Sequence, residues 1–167
     1  MVTTNAVLFL DPDRVQDAAL REYVARYAAA SDWLAQQIYG VASMDQVRLH
    51  QRFYRALRER FGLPSQSAVL CQKHVARLCR AAVAPPSLSP EGPVPYDRHL
   101  YRLKSVDVLS LSTLEGRVRV PCTVSAYRKG RVDIGDAELS SIEGQWSFVI
   151  RTALSEATVA RNKQRRE

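Results

Sequence analysis

The chain has 167 residues, 46% hydrophobic and 25% charged, which is enough for one domain with a real core or two small lobes sharing one. Its 24 Lys and Arg against 17 Asp and Glu give a net charge of +7. The three cysteines, Cys71, Cys79 and Cys122, lack C-x-x-C spacing and are odd in number, which argues against a disulfide framework or a zinc site. With no apolar run near the length of a membrane span, this predicts a cytoplasmic protein without a membrane partner.

The charge is uneven along the chain. Residues 11–40 hold three basic and five acidic side chains, residues 41–83 eight and two, and residues 84–131 eight and four. The positive field therefore falls mid-chain, where it would steer an anionic partner.

In chain order, Val2 to Leu10 is short, apolar and β-branched at its start, and predicts a strand. Asp11-Pro12 offers an N-cap with proline in the first turn of a helix. That helix carries Leu20, Val24, Tyr27, Ser31, Leu34 and Ile38 on one face and stops at Gly40. Ser43 with Gln46 is a capping-box pattern for a second helix, expected to bury Val47, Tyr54, Leu57 and Phe61 and to end at Gly62. A third helix starts near Ser65, with Ala68, Cys71, Val75, Leu78 and Ala82 inward. Three helices with short connections predict a small bundle.

Two of these helices carry basic stripes. Arg48, Arg52 and Arg55 fall at i, i+4, i+7, and Lys73, Arg77 and Arg80 repeat the spacing beyond Phe61-Gly62-Leu63-Pro64-Ser65-Gln66. Paired stripes suit a polyanion, because each Lys or Arg that meets a phosphate releases a condensed counterion. The plainer alternative is two solvated outer faces.

Residues 85–95 form a proline-rich linker that cannot continue a helix. After it the period falls to two. Val106, Val108, Leu109 and Leu111 lead to a hairpin at Glu115-Gly116, and Glu143-Gly144 marks a second hairpin. The expectation is a meander of antiparallel strands curled toward a barrel, ending in a basic tail at residues 155–167. Arg117 and Arg119 alternate with Val118 and Val120, and Arg102 and Lys104 flank Leu103 beside Tyr101. A basic strand face with an aromatic nearby suits an RNA backbone or a stacked base, and equally a solvated sheet face.

Catalytic signals are sparse. His50, His74 and His99 lie in three different elements, the seven glycines are scattered singly, and no metal-ligand spacing is present. Val132-Asp133-Ile134-Gly135 looks like the first carboxylate motif of a ribonuclease-H-type nuclease, which needs further carboxylates around two metal ions. Those would come from Asp136, Glu138, Glu143 or Glu156, and the nearer ones share one hairpin, so Asp133 reads better as a strand-edge or turn residue.

Four segments in order resemble the N-terminal half of the TnpB (OrfB-type) transposon-encoded RNA-guided nucleases, relatives of type V CRISPR effectors. They are the opening strand with Leu10-Asp11-Pro12; Tyr54 through Gln66, the strongest; Tyr96 through Tyr101 with Leu109 through Pro121; and Ala137-Glu138-Leu139 through Gly144-Gln145-Trp146. The resemblance implies an α+β fold, a small wedge-like antiparallel β-barrel with an inserted three-helix recognition lobe. Residues 1–10 would be the first barrel strand, 11–84 the lobe, 85–95 the linker and 96–154 the rest of the barrel. It also implies a guide RNA and a DNA duplex bearing a short motif as partners. Taken with the basic stripes, the expected DNA-binding residues are Ser65, Gln66, Lys73, Arg77, Arg102 and Lys104. The expected RNA-binding residues are Arg48, Arg52, Arg55, Tyr101, Arg117 and Arg119.

At the third helix start, exposed N–H groups favour a phosphate and a glutamine amide matches adenine in the major groove, with Lys73 holding the backbone. The alternative there is a Ser65 that only caps the helix and a solvated Gln66. The family's catalytic carboxylates and zinc element lie beyond the matched region, so no cleavage, metal or cofactor is expected in this chain: the resemblance implies either a truncated N-terminal half or a subunit whose nuclease half is a separate chain. The rivals are a self-contained metal-dependent nuclease using Asp133 and a degenerate remnant.

Overall fold

The computed structural model describes residues 2–41, 45–124 and 133–154. Ser43, Glu156 and the tail at 155–167 lie outside the described residues. In order, the elements are β1 (Val2–Leu10), α1 (Arg14–Ile38), α2 (Gln46–Phe61), α3 (Ser65–Ala81), β2 (Val94–Tyr96), β3 (Tyr101–Ser105), β4 (Val108–Thr113), β5 (Gly116–Val124), β6 (Asp133–Ile142) and β7 (Gln145–Leu154).

Two of the three helix starts differ from the sequence expectation by two residues, for a reason visible in the hydrogen bonds, while α3 starts at Ser65 as expected. Asp13, not Asp11, caps α1: its carboxylate accepts from Gln16 N–H at 2.8 Å, and Gln16 Oε1 accepts from Asp13 N–H at 3.1 Å. Asp45 caps α2 by accepting from Arg48 N–H at 2.9 Å. Pro64 occupies the cap position of α3 without any side-chain bond, so Ser65 is the first helical residue and does not cap. Gly62 closes α2 at φ +68, with its N–H on Arg58 O and the Leu63 N–H on Leu57 O, a left-handed exit that glycine adopts without a Cβ penalty.

All six residues expected inside α1 are buried. The phase of α2 is different: Leu49, Phe53, Leu57 and Phe61 are buried, Val47 is exposed and Tyr54 is half-buried. The four-residue row places Phe53 and Phe61 against Trp33 of α1, with ring centroids 5.9 and 5.6 Å apart. Full burial of such side chains is worth about 1.5–3 kcal/mol each, so this row outweighs the one that starts at Val47. On α3, Ala68, Cys71 and Val75 are buried as expected, Leu78 is half-buried and Ala82 is the C-cap.

The seven strands form one antiparallel sheet in the order β2-β6-β7-β1-β5-β4-β3, curled into a half-barrel. It is not a simple meander. β1 enters at the centre, pairing Leu8 with Phe148 of β7 on one side and with Val124 of β5 on the other, so β5 and β6 are separated. The end of the proline-rich segment also contributes β2, paired Val94 to Leu139. Its approach is tight: a Cβ on Gly92 would come within 2.7 Å of Leu139 O, and its φ is +96. Of the two hairpin expectations, Glu143-Gly144 is the β6–β7 turn, with positive φ at both residues. The β4–β5 turn is Leu114-Glu115, because Gly116 already pairs with Thr113.

A continuous core joins helices and sheet. Tyr23 of α1 packs on Tyr96 of β2 at 5.5 Å, and Phe148 makes T-shaped contacts with Tyr96 and Tyr101 at 5.6 and 5.0 Å. Trp146 Nε1 donates to Asp17 at 2.8 Å, and Asp32 accepts from Leu88 N–H at 2.7 Å, which fastens the linker to α1. Among the described residues no helix is long and apolar enough to cross a membrane.

Candidate nucleic-acid interface

The outer face of β3–β4–β5 collects most of the exposed charge of the sheet. Along β5, Val120 and Cys122 are buried while Arg117, Arg119, Pro121 and Thr123 are exposed, the period-two pattern of a strand with one wet face. Register aligns Arg119 with Ser110, and Ser110 with Arg102, in one row across three strands. Paired residues on neighbouring strands point to the same face, so the two arginines stand about 10 Å apart, two strand spacings. Ser110 between them is buried. Arg117 follows, paired with Ser112, and its Nη2 donates to His99 O at 2.5 Å. Lys104 is exposed and falls in the register shift between Leu103 and Ser105. Asp107 and Glu115 sit in the two turns, Asp97 accepts from the N–H of the same His99, and Asp11 borders β5 through its N–H on Pro121 O; among the described residues none of these four cations has an ion pair. A face of unneutralised cations on a rigid sheet can track a phosphodiester backbone.

The helical stripes are placed differently. Arg48, Arg52 and Arg55 lie on the face of α2 opposite its buried row, and Lys73, Arg77 and Arg80 lie outward on α3. Two of the α2 arginines have acidic partners: Arg55 Nε is 2.8 Å from Glu59, and Arg48 Nε is 4.0 Å from Asp45. This part of α2 thus presents less free charge than its arginine count suggests.

Two expected roles are corrected by the packing. Tyr101 is a core residue: it is 2% exposed, its ring meets Phe148, and its hydroxyl donates to Gly135 O at 2.6 Å. It offers no face for a base. Gln66 Nε2 donates to Asp97 Oδ2 at 2.5 Å, while Asp97 Oδ1 accepts from His99 N–H at 2.9 Å. A bidentate pairing with adenine needs the amide oxygen and one N–H side by side, and here Asp97 takes one of the two N–H donors and fixes the orientation of the amide within the fold. Ser65 is exposed in the first turn of α3.

The histidines stay apart, as expected from the sequence. His50 stacks on Tyr54 at 4.3 Å, and His99 is exposed between β2 and β3. His74 is half-buried, sharing a 3.0 Å hydrogen bond between its Nδ1 and Tyr27 Oη. Desolvation, helped by the Arg77 charge, lowers the His74 pKa from 6.5 to about 4. Burial pushes the Cys71 thiol up to about 12, so it packs as an apolar group rather than a nucleophile. Among the described residues no group of three or more His, Cys, Asp or Glu side chains is gathered for a metal ion. Asp133 opens β6 opposite Ala153.

One exposed aromatic escaped the sequence reading. Phe9 of β1 is 42% exposed, between the buried Leu8 and Leu10. Val7-Leu8-Phe9-Leu10 is apolar throughout, so alternation gave no polar contrast to reveal which residues face out. No protein-family model matches the chain and no curated protein matches it.

Proposed function

We propose that the chain is a nucleic-acid-binding module of an RNA-guided DNA-targeting system, gripping the scaffold of a guide RNA and without cleavage activity of its own. The observation that carries this reading is the row Arg102–Ser110–Arg119 with Arg117 beside it, a cationic sheet face without an ion pair among the described residues. The RNA-guided context rests on the four ordered segments that resemble the TnpB family. In such systems base pairing reads sequence, while protein holds the backbone and reads a short motif. The order of elements, three helices between β1 and β2, supports the reading, because that family inserts a helical recognition lobe after its first barrel strand. Lys73 and Arg77 of α3 are the exposed cations for a DNA duplex.

The test is binding of the full chain to RNA across a salt series. Arg119→Ala should weaken affinity and flatten the slope of log affinity against log salt by about 0.7–0.9 for each phosphate that is no longer neutralised. An unchanged slope means that the face is merely solvated. Sequencing the RNA that co-purifies with the chain identifies the system: one structured species supports the reading, and no enrichment overturns it. Magnesium-dependent cleavage of labelled nucleic acid that Asp133→Ala abolishes would overturn it in favour of a nuclease.

A further inference from the structure

Phe9 sits in the middle of a polar row. On the outer face it pairs with Ser147 of β7 and Thr123 of β5, and Ser147 in turn pairs with Ser140 of β6, their hydroxyls 3.2 Å apart. A phenylalanine on a solvated face of a central strand costs free energy wherever its ring stays wet. Thr123 is exposed on the same face of β5 as Arg119, four residues away, which is about 13 Å along the strand. An aromatic ring flanked by small hydroxyl residues, with cations further along the same face, is the arrangement that single-stranded nucleic acid uses. The base lies on the ring and the backbone follows the cations. Tyr101 is unavailable for this, since it is in the core.

We infer that Phe9 is the stacking platform for an unpaired base of a single RNA strand whose backbone runs along β5 toward Arg119 and Arg117. This rests on the nucleic-acid reading above and adds to it the strandedness of the ligand and the residue that senses it. A duplex keeps its bases stacked on one another, so Phe9 would contribute nothing to duplex binding along its length.

The experiment uses the full chain and a mixed-sequence single-stranded RNA of roughly 12 nucleotides, within the site sizes typical of small sheets, with an RNA duplex of equal length beside it. Phe9→Ala should weaken single-strand binding by about 5- to 150-fold and leave the salt slope unchanged, since no charge is removed. Phe9→Leu, which keeps β1 apolar, should lose nearly as much. Phe9→Trp should retain affinity, and the fluorescence of the added indole should be quenched on binding. Duplex affinity should be the same for all four proteins. Far-UV circular dichroism and melting temperature establish that each variant is folded. If Phe9→Leu binds like the parent, or RNA leaves the indole emission of the Phe9→Trp variant unmoved, stacking is overturned while the cationic face stands. If the parent chain shows no salt-dependent RNA binding at all, the nucleic-acid reading falls and this inference falls with it.

Discussion

His74 shows how one half-buried side chain makes stability depend on pH. Its ring is desolvated against Tyr27 and stands near the Arg77 charge, so the folded state holds it neutral down to about 4, against 6.5 for a free histidine. Between those values the unfolded chain takes up a proton that the folded chain refuses. Stability is therefore fully present above about 6.5 and is lost as pH falls toward about 4. His74→Gln removes the titration and keeps a polar partner for Tyr27. Urea midpoints measured between about pH 7 and pH 4.5, which brackets most of that window, should fall more steeply for the parent than for this variant, and parallel curves would refute the assignment. At this scale the sequence revealed what is local. Arg117 and Arg119 share a strand face because Val118 and Val120 alternate with them, and the structure exposes both. The roles of Tyr101 and Gln66 were not legible, because their partners, Gly135 and Asp97, lie 34 and 31 residues away and no local pattern announces them.

Among the elements, α2 is the clearest case of helix type being readable while helix phase is not. Its arginines, spaced at i, i+4, i+7, fixed one face, but both Val47-Tyr54 and Leu49-Phe53 offered apolar partners for Leu57 and Phe61. The choice is made by Trp33 of α1, which accepts Phe53 and Phe61. Substitution should expose the difference. Leu57→Ala, at a site with no exposed area, should cost about 2–5 kcal/mol through lost burial and a residual cavity. Val47→Ala, at 65% exposure, should stay within about 0.5 kcal/mol. Chemical denaturation of both variants checks this, and comparable losses would mean that the helix packs in the other phase. The caps also differ from the sequence candidates: Asp13 and Asp45 each accept from the N–H three residues on.

For the molecule as a whole, the α+β class and the antiparallel sheet followed from the change of period after the prolines, whereas the strand order did not. Val2 pairs with Leu154 and Leu10 with Cys122, pairings across most of the chain that no window of sequence can contain. The curl of the sheet has a similar origin. Tyr101 on the terminal strand β3 donates to Gly135 O of β6, near the other end of the order. Tyr96 on the opposite terminal strand β2 donates to Ser112 O of β4, and both bonds are 2.6 Å. Burial holds the Tyr101 hydroxyl well above its ordinary pKa, so it remains a donor at any physiological pH. Tyr101→Phe keeps the ring on Phe148 and removes only that donor, leaving the Gly135 carbonyl without its partner. The loss should be about 0.5–1.5 kcal/mol, the net worth of one hydrogen bond, since this one is only partly buried. The register that aligns Arg102, Ser110 and Arg119 is set within the β3–β4–β5 ladder and does not depend on this bond. On the proposed RNA-binding reading, affinity and its salt slope should therefore be unchanged while the urea midpoint falls. A variant as stable as the parent would show that the hydroxyl does not hold the edges together. A variant with normal stability and weakened RNA binding would return Tyr101 to the proposed binding face.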